Sequence, residues 1–291
     1  CRESMRQMTA GSAQTCVTSP PYFGLRDYGC DGQIGLEATP DEYVAKMVEV
    51  FREVRRVLAN DGTLWLNIGD SYANDAKWGG SSGGKHAKAL HGDTGIGRGK
   101  KSTGLKAKDL IGIPWMLAFA LRADGWYLRQ DIIWAKPNPM PESVRDRCTK
   151  AHEYIFLFSK QERYYFDSEA MKEPAVCDRM RGPALHRDAV STNGNGGLSR
   201  REPQETRNRR SVWTVATRPY KGAHFGTYPP ELIRPCILAG SRVGDTVLDP
   251  FGGSGTTAQV ALEESRNFVL CELNPEYEPL IQSRIQGLQL W

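Results

Sequence analysis

Strands that alternate with helices predict an α/β fold built on a doubly wound, mostly parallel sheet. Three observations carry that expectation. Apolar or β-branched runs that end in turn residues recur at 14–18, 63–68, 127–135, 154–159, 246–249 and 267–272. Segments with helical spacing lie between them or after them, at 40–59, 113–123, 230–239, 256–264 and from 275 onward. Two unusual loops each follow a strand directly: Ser19-Pro20-Pro21-Tyr22 and Asp249-Pro250-Phe251-Gly252-Gly253-Ser254-Gly255. In such sheets ligands bind beyond the carboxyl ends of the strands, at the switch point. Loops far apart in the chain can therefore face one crevice.

The elements follow in order. Cys16 and Val17 lie in a buried strand, and two prolines stiffen its exit. Over 40–59, Tyr43, Met47, Val50, Phe51, Val54 and Leu58 share one helical face. Thr39 suits the N-cap, and Gly62 stands just past the end as a stop. The strand at 63–68 leads into Gly69, Asp70 and Ser71, after which the pattern stops. Residues 77–108 hold eight Lys and Arg against one acid, Asp93. A long patternless loop in a compact domain is functional or disordered. Helical spacing returns at 113–123, with Pro114 in the first turn. A second irregular block, 170–211, contains Arg179, Arg181, Arg187, Arg200, Arg201, Arg207, Arg209 and Arg210. No internal repeat is present.

The chain's 291 residues permit one large domain with insertions, or two small ones. A net charge of +4 says little about partners. Without an 18-residue apolar run or a secretory signal, a cytoplasmic protein away from membranes is expected. The seven cysteines (Cys1, Cys16, Cys30, Cys148, Cys177, Cys236, Cys271) never form a C-x-x-C pair. That argues against zinc and for a reducing compartment. His86 and His91 stand close in a Gly/Lys-rich loop, which is no ligand pattern, so no metal is expected. The chain opens on Cys1 without an initiator, so preceding residues are expected to be missing.

Residues 251–255 allow close backbone approach, and the following helix start offers unpaired N–H groups. Glu272 lies 19 positions after Gly253, where an acid can accept bonds from ribose hydroxyls. Gly253-x-Gly255-x-x-Ala258 also satisfies a loose dinucleotide pattern. The flanking Asp249-Pro250-Phe251 and Thr256-Thr257 favour another reading.

Together the two loops resemble those of DNA amino-methyltransferases that use S-adenosylmethionine. Their order, with the Ser-Pro-Pro-Tyr loop first, resembles the beta group of that family. The segments at 127–143, 152–159 and 224–230 also look like family segments, and the resemblance covers most of the chain outside 73–105 and 173–210. It implies a class I methyltransferase, Rossmann-like fold with inserted irregular DNA-contacting regions. A catalytic domain would span 1–172 and 211–291, with 72–108 a flexible basic loop and 173–210 a target-recognition insertion.

The resemblance places S-adenosylmethionine against Thr18, Phe225, Thr227, Pro229, Asp249, Pro250, Phe251, Gly252, Gly253, Ser254, Gly255, Thr256, Thr257, Glu272 and Leu273. The glycine loop would cradle the methionine part and Glu272 the ribose. The catalytic set would be Ser19, Pro20, Pro21 and Tyr22. An exocyclic amine is a poor nucleophile because its lone pair is delocalised into the ring. Hydrogen bonds accepted from the NH₂ by the Ser19 hydroxyl and the Pro20 carbonyl would return density to nitrogen, while Tyr22 stacks on the base. In the family, Ser at the first position usually accompanies cytosine N4, and Asp or Asn adenine N6. Cytosine N4 is therefore favoured, with adenine N6 the alternative.

A base within a duplex must be flipped out to reach such a pocket. Double-stranded DNA is the expected partner, with Lys100, Lys101, Lys136, Arg207, Arg209 and Arg210 as candidate contacts. Arginines there could also read guanine edges. The bland alternative is that both basic blocks are solvated surface. A cognate restriction endonuclease and a monomeric or homodimeric state are further expectations. Cytosine C5 methylation would need a cysteine nucleophile, but Cys236, in the only Pro-Cys pair, falls within an apolar helical pattern. More distant rivals are a DNA-binding relative without catalysis and a nucleotide-dependent dehydrogenase.

Overall fold

The computed structural model describes residues 1–73, 104–175, 205–218 and 228–288. Lys100, Lys101, Phe225 and Thr227 lie outside these residues, as does most of both basic blocks.

The chain begins with a short helix, α1 (Arg2–Arg6), which the sequence pattern did not predict. Strand β1 (Ala13–Thr18) follows, then α2 (Pro40–Val57), β2 (Leu58–Ile68), α3 (Ile113–Ala123), β3 (Tyr127–Ala135) and β4 (His152–Ser159). Three short strands come next: β5 (Lys172–Pro174), β6 (Thr206–Asn208) and β7 (Val212–Thr214). The C-terminal part holds α4 (Pro230–Gly240), β8 (Thr246–Asp249), α5 (Thr256–Glu263), β9 (Asn267–Leu270), a 3₁₀ turn at Pro275–Tyr277 and α6 (Glu278–Ile285).

Seven strands form one sheet in the order β7-β3-β4-β2-β1-β8-β9. Strand β1 pairs parallel with β2 and β8, β8 with β9, and β3 with β7. Strand β4 runs antiparallel to both β2 and β3. The carboxyl ends of β1, β2, β3 and β8 and the start of β4 therefore lie along one edge. Adjacent residues Cys16 and Val17 of β1 point into opposite faces, as strand alternation requires. One face is covered by α2 and α3 through Tyr43, Met47, Phe51 and Leu117. The other is covered by α4 and α5 through Leu232, Ile237, Val260 and Ala261. The sheet is thus doubly wound, as expected.

Helix α2 begins where the sequence predicted. Thr39 accepts a bond from the Glu42 N–H at 3.2 Å, and the Glu42 side chain reaches back to the Ala38 N–H at 3.0 Å. This is a variant of the capping box, in which the return bond reaches the residue before the N-cap. Tyr43, Met47, Val50, Phe51 and Val54 are all fully buried. Each such side chain contributes roughly 1.5–3 kcal/mol on burial.

The end of α2 differs from expectation. The chain leaves the helix at Val57 and enters β2 at Leu58 with no intervening turn. Gly62 is therefore not a helix stop. It lies inside β2, where a Cβ would sit 2.9 Å from the Gln14 carbonyl and 3.0 Å from that of Ala59. Its absent side chain permits close packing at the irregularity between Ala13 and Thr15. The second basic block is also less irregular at its ends than expected. Strands β5 and β6 pair antiparallel at its base, and β7 adds to the sheet edge beside β3.

Helix α4 meets the sheet through Gly240. A Cβ there would lie 2.6 Å from Thr15 Oγ1, 2.9 Å from Thr63 Oγ1 and 3.0 Å from Trp65 Nε1. Gly240→Ala is expected to lower stability by about 1–3 kcal/mol through overpacking. Urea denaturation checks this, and an unchanged midpoint would contradict the packing described.

Candidate active site

Strand β1 delivers Ser19, Pro20, Pro21 and Tyr22 at its carboxyl end. Pro20 is buried, and the other three are partly exposed. Helix α2 pins this turn from one side, since the Tyr43 hydroxyl donates to the Pro21 carbonyl at 2.8 Å. Gly35 closes it from another, with φ +107 and a virtual Cβ 3.1 Å from the Tyr22 carbonyl. Only glycine fits that backbone conformation and that space.

The neighbouring strand β8 delivers Asp249, 1% exposed. Its carboxylate accepts four bonds: from Thr18 Oγ1 at 2.6 Å, the Phe251 N–H at 3.0 Å, Thr257 Oγ1 at 2.6 Å and the Tyr228 hydroxyl at 3.1 Å. Burial pushes the Asp249 pKa up, and these four donors oppose the rise. Thr18, Asp249 and Thr257 were all expected at the cofactor. Their side chains are buried and bonded to each other, so they brace the loop from within. Tyr228, which sequence reasoning did not single out, completes the brace. Its only sequence signal was its place in the 224–230 segment. Pro229 is buried and forms the N-cap of α4.

The glycine loop follows. The Gly252 N–H bonds to the Cys271 carbonyl at 2.9 Å, which ties the loop to the end of β9. Gly253 has φ +52, and its N–H donates to Glu272 Oε2 at 2.7 Å. Gly255 has φ +81, and a Cβ would lie 3.2 Å from Ile281 Cγ2. Ser254 Oγ accepts a bond from Arg284 at 3.2 Å. Helix α5 starts at Gly255 with no side-chain cap. Glu272 Oε1 also accepts the N–H groups of Leu273 at 2.9 Å and Asn274 at 2.8 Å. Three donors leave acceptor capacity on a carboxylate, which offers about four lone-pair positions. A cavity of about 310 Å³ opens here, lined by Glu272, Leu273, Asn274, Pro275, Glu278 and Ile281. A larger cavity, about 640 Å³, lies away from both loops beside Arg55, Tyr127 and Lys160.

The same edge gathers polar groups from β2, β3 and β4. The Tyr22 hydroxyl donates to Glu153 Oε2 at 2.6 Å. Asn67 Nδ2 reaches Glu153 Oε2 at 3.3 Å and the Tyr154 carbonyl at 3.0 Å. Lys136 pairs with Glu153 and lies 4.2 Å from the Trp134 ring centroid. Asp70 caps α3 by accepting the Gly112 N–H at 3.0 Å and the Ile113 N–H at 3.2 Å, while Lys150 bonds its carbonyl. Glu153, Asn67 and Asp70 are site-edge residues that sequence reasoning missed. Glu153 had one signal, its position in the segment starting at His152.

The expected DNA contacts are differently placed. Lys136 is engaged inside the site edge. Arg209 stacks 5.4 Å from the Trp213 centroid, with its Nε buried. Arg207 and Arg210 both donate to Glu173, at 2.9 and 3.1 Å. Of the three arginines, Arg210 keeps the freest side chain in its ion pair, 70% exposed. Cys236 is buried in α4, and burial pushes its thiol far up, so it packs rather than attacks. Among the described residues no cluster of three or more His, Cys, Asp or Glu is placed to hold a metal, and no helix is long and apolar enough to cross a membrane.

A DNA methylase family model matches residues 13–283, nearly the whole chain. The chain belongs to this DNA methylase family of N6/N4 methyltransferases. It is 50% identical over 283 residues to the Type II methyltransferase M.XycI of Xanthomonas campestris pv. cyanopsidis, covering 97% of this chain and 84% of that protein. It is 49% identical over 286 residues to the Type II methyltransferase M.Cfr9I of Citrobacter freundii, with the same coverage of 97% and 84%. Its fold matches PvuII DNA methyltransferase (cytosine-N4-specific) with a TM-score of 0.66 at 18% identity, over 100% of this chain and 85% of that one. It also matches TTHA0409 of Thermus thermophilus, a structure complexed with S-adenosyl-L-methionine. That TM-score is 0.60 at 22% identity, over 99% and 90% of the two chains.

As a family member the chain is an S-adenosylmethionine-dependent DNA methyltransferase. The residues fit that cofactor. The left-handed Gly253 and Gly255 leave the loop without side chains at its turns, and Glu272 retains acceptor capacity beside a cavity. Gly253→Asp would set a second carboxylate against Glu272. Its affinity for S-adenosylmethionine is expected to fall at least about tenfold, or 1.4 kcal/mol, in calorimetry on folded protein. Unchanged affinity would remove this loop from the cofactor site.

Proposed function

We propose that the protein methylates the exocyclic N4 amine of cytosine in a flipped-out nucleotide, as the modification enzyme of a Type II restriction system. The observation that supports this best is the turn at the end of β1. A hydroxyl and a carbonyl, Ser19 and Pro20, stand at the strand end that Asp249 bolts to the cofactor loop. Both relatives above carry Type II methyltransferase names, and one fold neighbour is described as cytosine-N4-specific.

In this reading Ser19 Oγ and the Pro20 carbonyl accept the two amine protons. That draws density onto nitrogen and holds it for in-line attack. Tyr22 supplies a ring face for the base. When bound at the glycine loop and Glu272, the cofactor supplies an electrophilic methyl group. No covalent bond to the protein is needed, which agrees with a buried Cys236. Incubation with DNA and methyl-labelled cofactor, digestion and mass analysis should yield N4-methyldeoxycytidine. N6-methyldeoxyadenosine would overturn the base assignment, and 5-methyldeoxycytidine would overturn the mechanism.

Ser19→Ala removes one of the two acceptors. Turnover is expected to fall by at least about tenfold with cofactor affinity nearly unchanged, because the lost bond strengthens as the nitrogen becomes nucleophilic. Equal losses in binding and turnover would move the role of Ser19 away from the reacting amine.

DNA docking at the base of the 173–210 block is a further part of the proposal. The Arg210 side chain stays 70% exposed even while paired with Glu173. Arg210→Ala is expected to reduce the slope of log affinity against log salt by roughly 0.9, the value for one phosphate contact. An unchanged slope would place that contact elsewhere.

A further inference from the structure

The connection between β3 and β4 opens with an alternating run, Lys136-Pro137-Asn138-Pro139-Met140-Pro141. Each proline fixes its own φ and holds the residue before it extended, so the run is stiff. Both of its ends are pinned. On one side Asn138 is clamped to the chain beyond β7: its Nδ2 donates to the Thr217 carbonyl at 3.0 Å, and its Oδ1 accepts the Thr217 N–H at 2.9 Å. On the other side Glu142 Oε2 accepts from Arg147 at 2.6 Å and from the Lys150 N–H at 3.2 Å. Between the two clamps stands Met140, 84% exposed, the most exposed large apolar side chain among the described residues. Single exposed apolar residues are common on protein surfaces. This one is held out by backbone fixed on both sides. It also stands at the edge that carries the Ser19–Tyr22 turn. The Lys136 N–H bonds to the Ala151 carbonyl at 2.8 Å, and its ammonium pairs with Glu153, which accepts the Tyr22 hydroxyl at 2.6 Å. Four residues of chain reach at most about 14 Å, so the Met140 backbone lies within that distance of Lys136. Over 136–150 four cations, Lys136, Arg145, Arg147 and Lys150, face two acids, the sign that suits a phosphate backbone.

We propose that Met140 is a wedge that enters the DNA base stack beside the target nucleotide and fills the gap left when that base flips out. This rests on the flipped-nucleotide reading above. Flipping costs a few kcal/mol of lost stacking and pairing. It also leaves a gap whose floor and ceiling are the apolar faces of the neighbouring bases. An apolar side chain inserted between base steps covers those faces and offsets part of the cost. Methionine suits the task because it is unbranched, adapts its shape and makes favourable sulfur contacts with aromatic rings. The clamps at Asn138 and Glu142 order the backbone before DNA arrives, so insertion has only the side chain left to immobilise. Met140 touches neither the reacting amine nor the cofactor. It is a positioning residue that acts through the DNA, by keeping the vacated place occupied while the base lies in the pocket.

The test uses duplex DNA with 2-aminopurine in place of the target base, whose fluorescence rises when the base leaves the stack, and the demethylated cofactor product. Wild type is expected to raise the fluorescence. Met140→Ala is expected to lose most of that rise and to bind the target duplex about tenfold more weakly, the loss of one buried apolar side chain. Its affinities for an unrelated duplex and for the cofactor product are expected to stay within about twofold of wild type, a tenfold change being about 1.4 kcal/mol. Met140→Leu, which keeps an apolar side chain of similar size, is expected to restore most of the rise. A Met140→Ala variant with wild-type fluorescence and target affinity overturns the wedge while leaving the flipped-base reading intact. An equal loss of affinity for the unrelated duplex also overturns it, since that pattern marks a general backbone contact. A wild-type enzyme that raises no fluorescence would overturn the base-flipping reading on which the wedge rests.

Discussion

The Asp249 carboxylate is 1% exposed and accepts hydrogen bonds from four separate stretches of chain: the end of β1, the segment before α4, the glycine loop and the first turn of α5. A buried charge of this kind is costly unless its lone pairs are filled. Here neutral donors fill them, and each donor belongs to a different segment of the candidate site. The constraint therefore works in both directions. The carboxylate needs all four segments in place, and each segment is held by the same atom pair. Thr18 immediately precedes Ser19, so the Ser19–Tyr22 turn and the glycine loop share one anchor although 231 positions separate Thr18 from Asp249.

A second constraint comes from the direction of β4. Because β4 runs antiparallel to β2 and β3, its first residues meet the last residues of both neighbours. That register sets Glu153 opposite Trp134 and Tyr154 opposite Ile68, so Lys136, Asn67 and Glu153 arrive together beside Tyr22. A parallel β4 would have sent Glu153 to the opposite edge. The polar cluster beside Tyr22 is thus a consequence of sheet topology, and the shape of the glycine loop a consequence of its backbone conformation. The Tyr43–Pro21 bond joins the Ser19–Tyr22 turn to the buried face of α2.

Much of this was legible before any coordinates. The Pro-Pro turn and the glycine loop carry strong local constraints, and α2 announces itself by periodicity and by Thr39. What was not legible depends on pairing across distance. Strands β5, β6 and β7 have three residues each, too few for periodicity, and exist only because partners lie alongside. Gly62 looks like a helix stop in sequence, yet its role is a contact with β1. Lys136 reads as a surface cation until β4 brings Glu153 to it. Arg209 reads the same way until it lies over Trp213. Thr18, Asp249 and Thr257 were expected at the cofactor, but their bonds to one another, and the part of Tyr228, emerge only when four segments meet.

The claim that ties these constraints together is that the Asp249 brace holds Ser19 and the glycine loop on either side of one transfer line. It is tested most directly by a crystal structure of the ternary complex with the demethylated cofactor product and a duplex carrying the target sequence. The account predicts a flipped cytosine whose N4 lies within about 2.7–3.2 Å of both Ser19 Oγ and the Pro20 carbonyl, with the cofactor sulfur beyond it in line. A target base seated elsewhere, or an N4 amine that contacts neither acceptor, would contradict it.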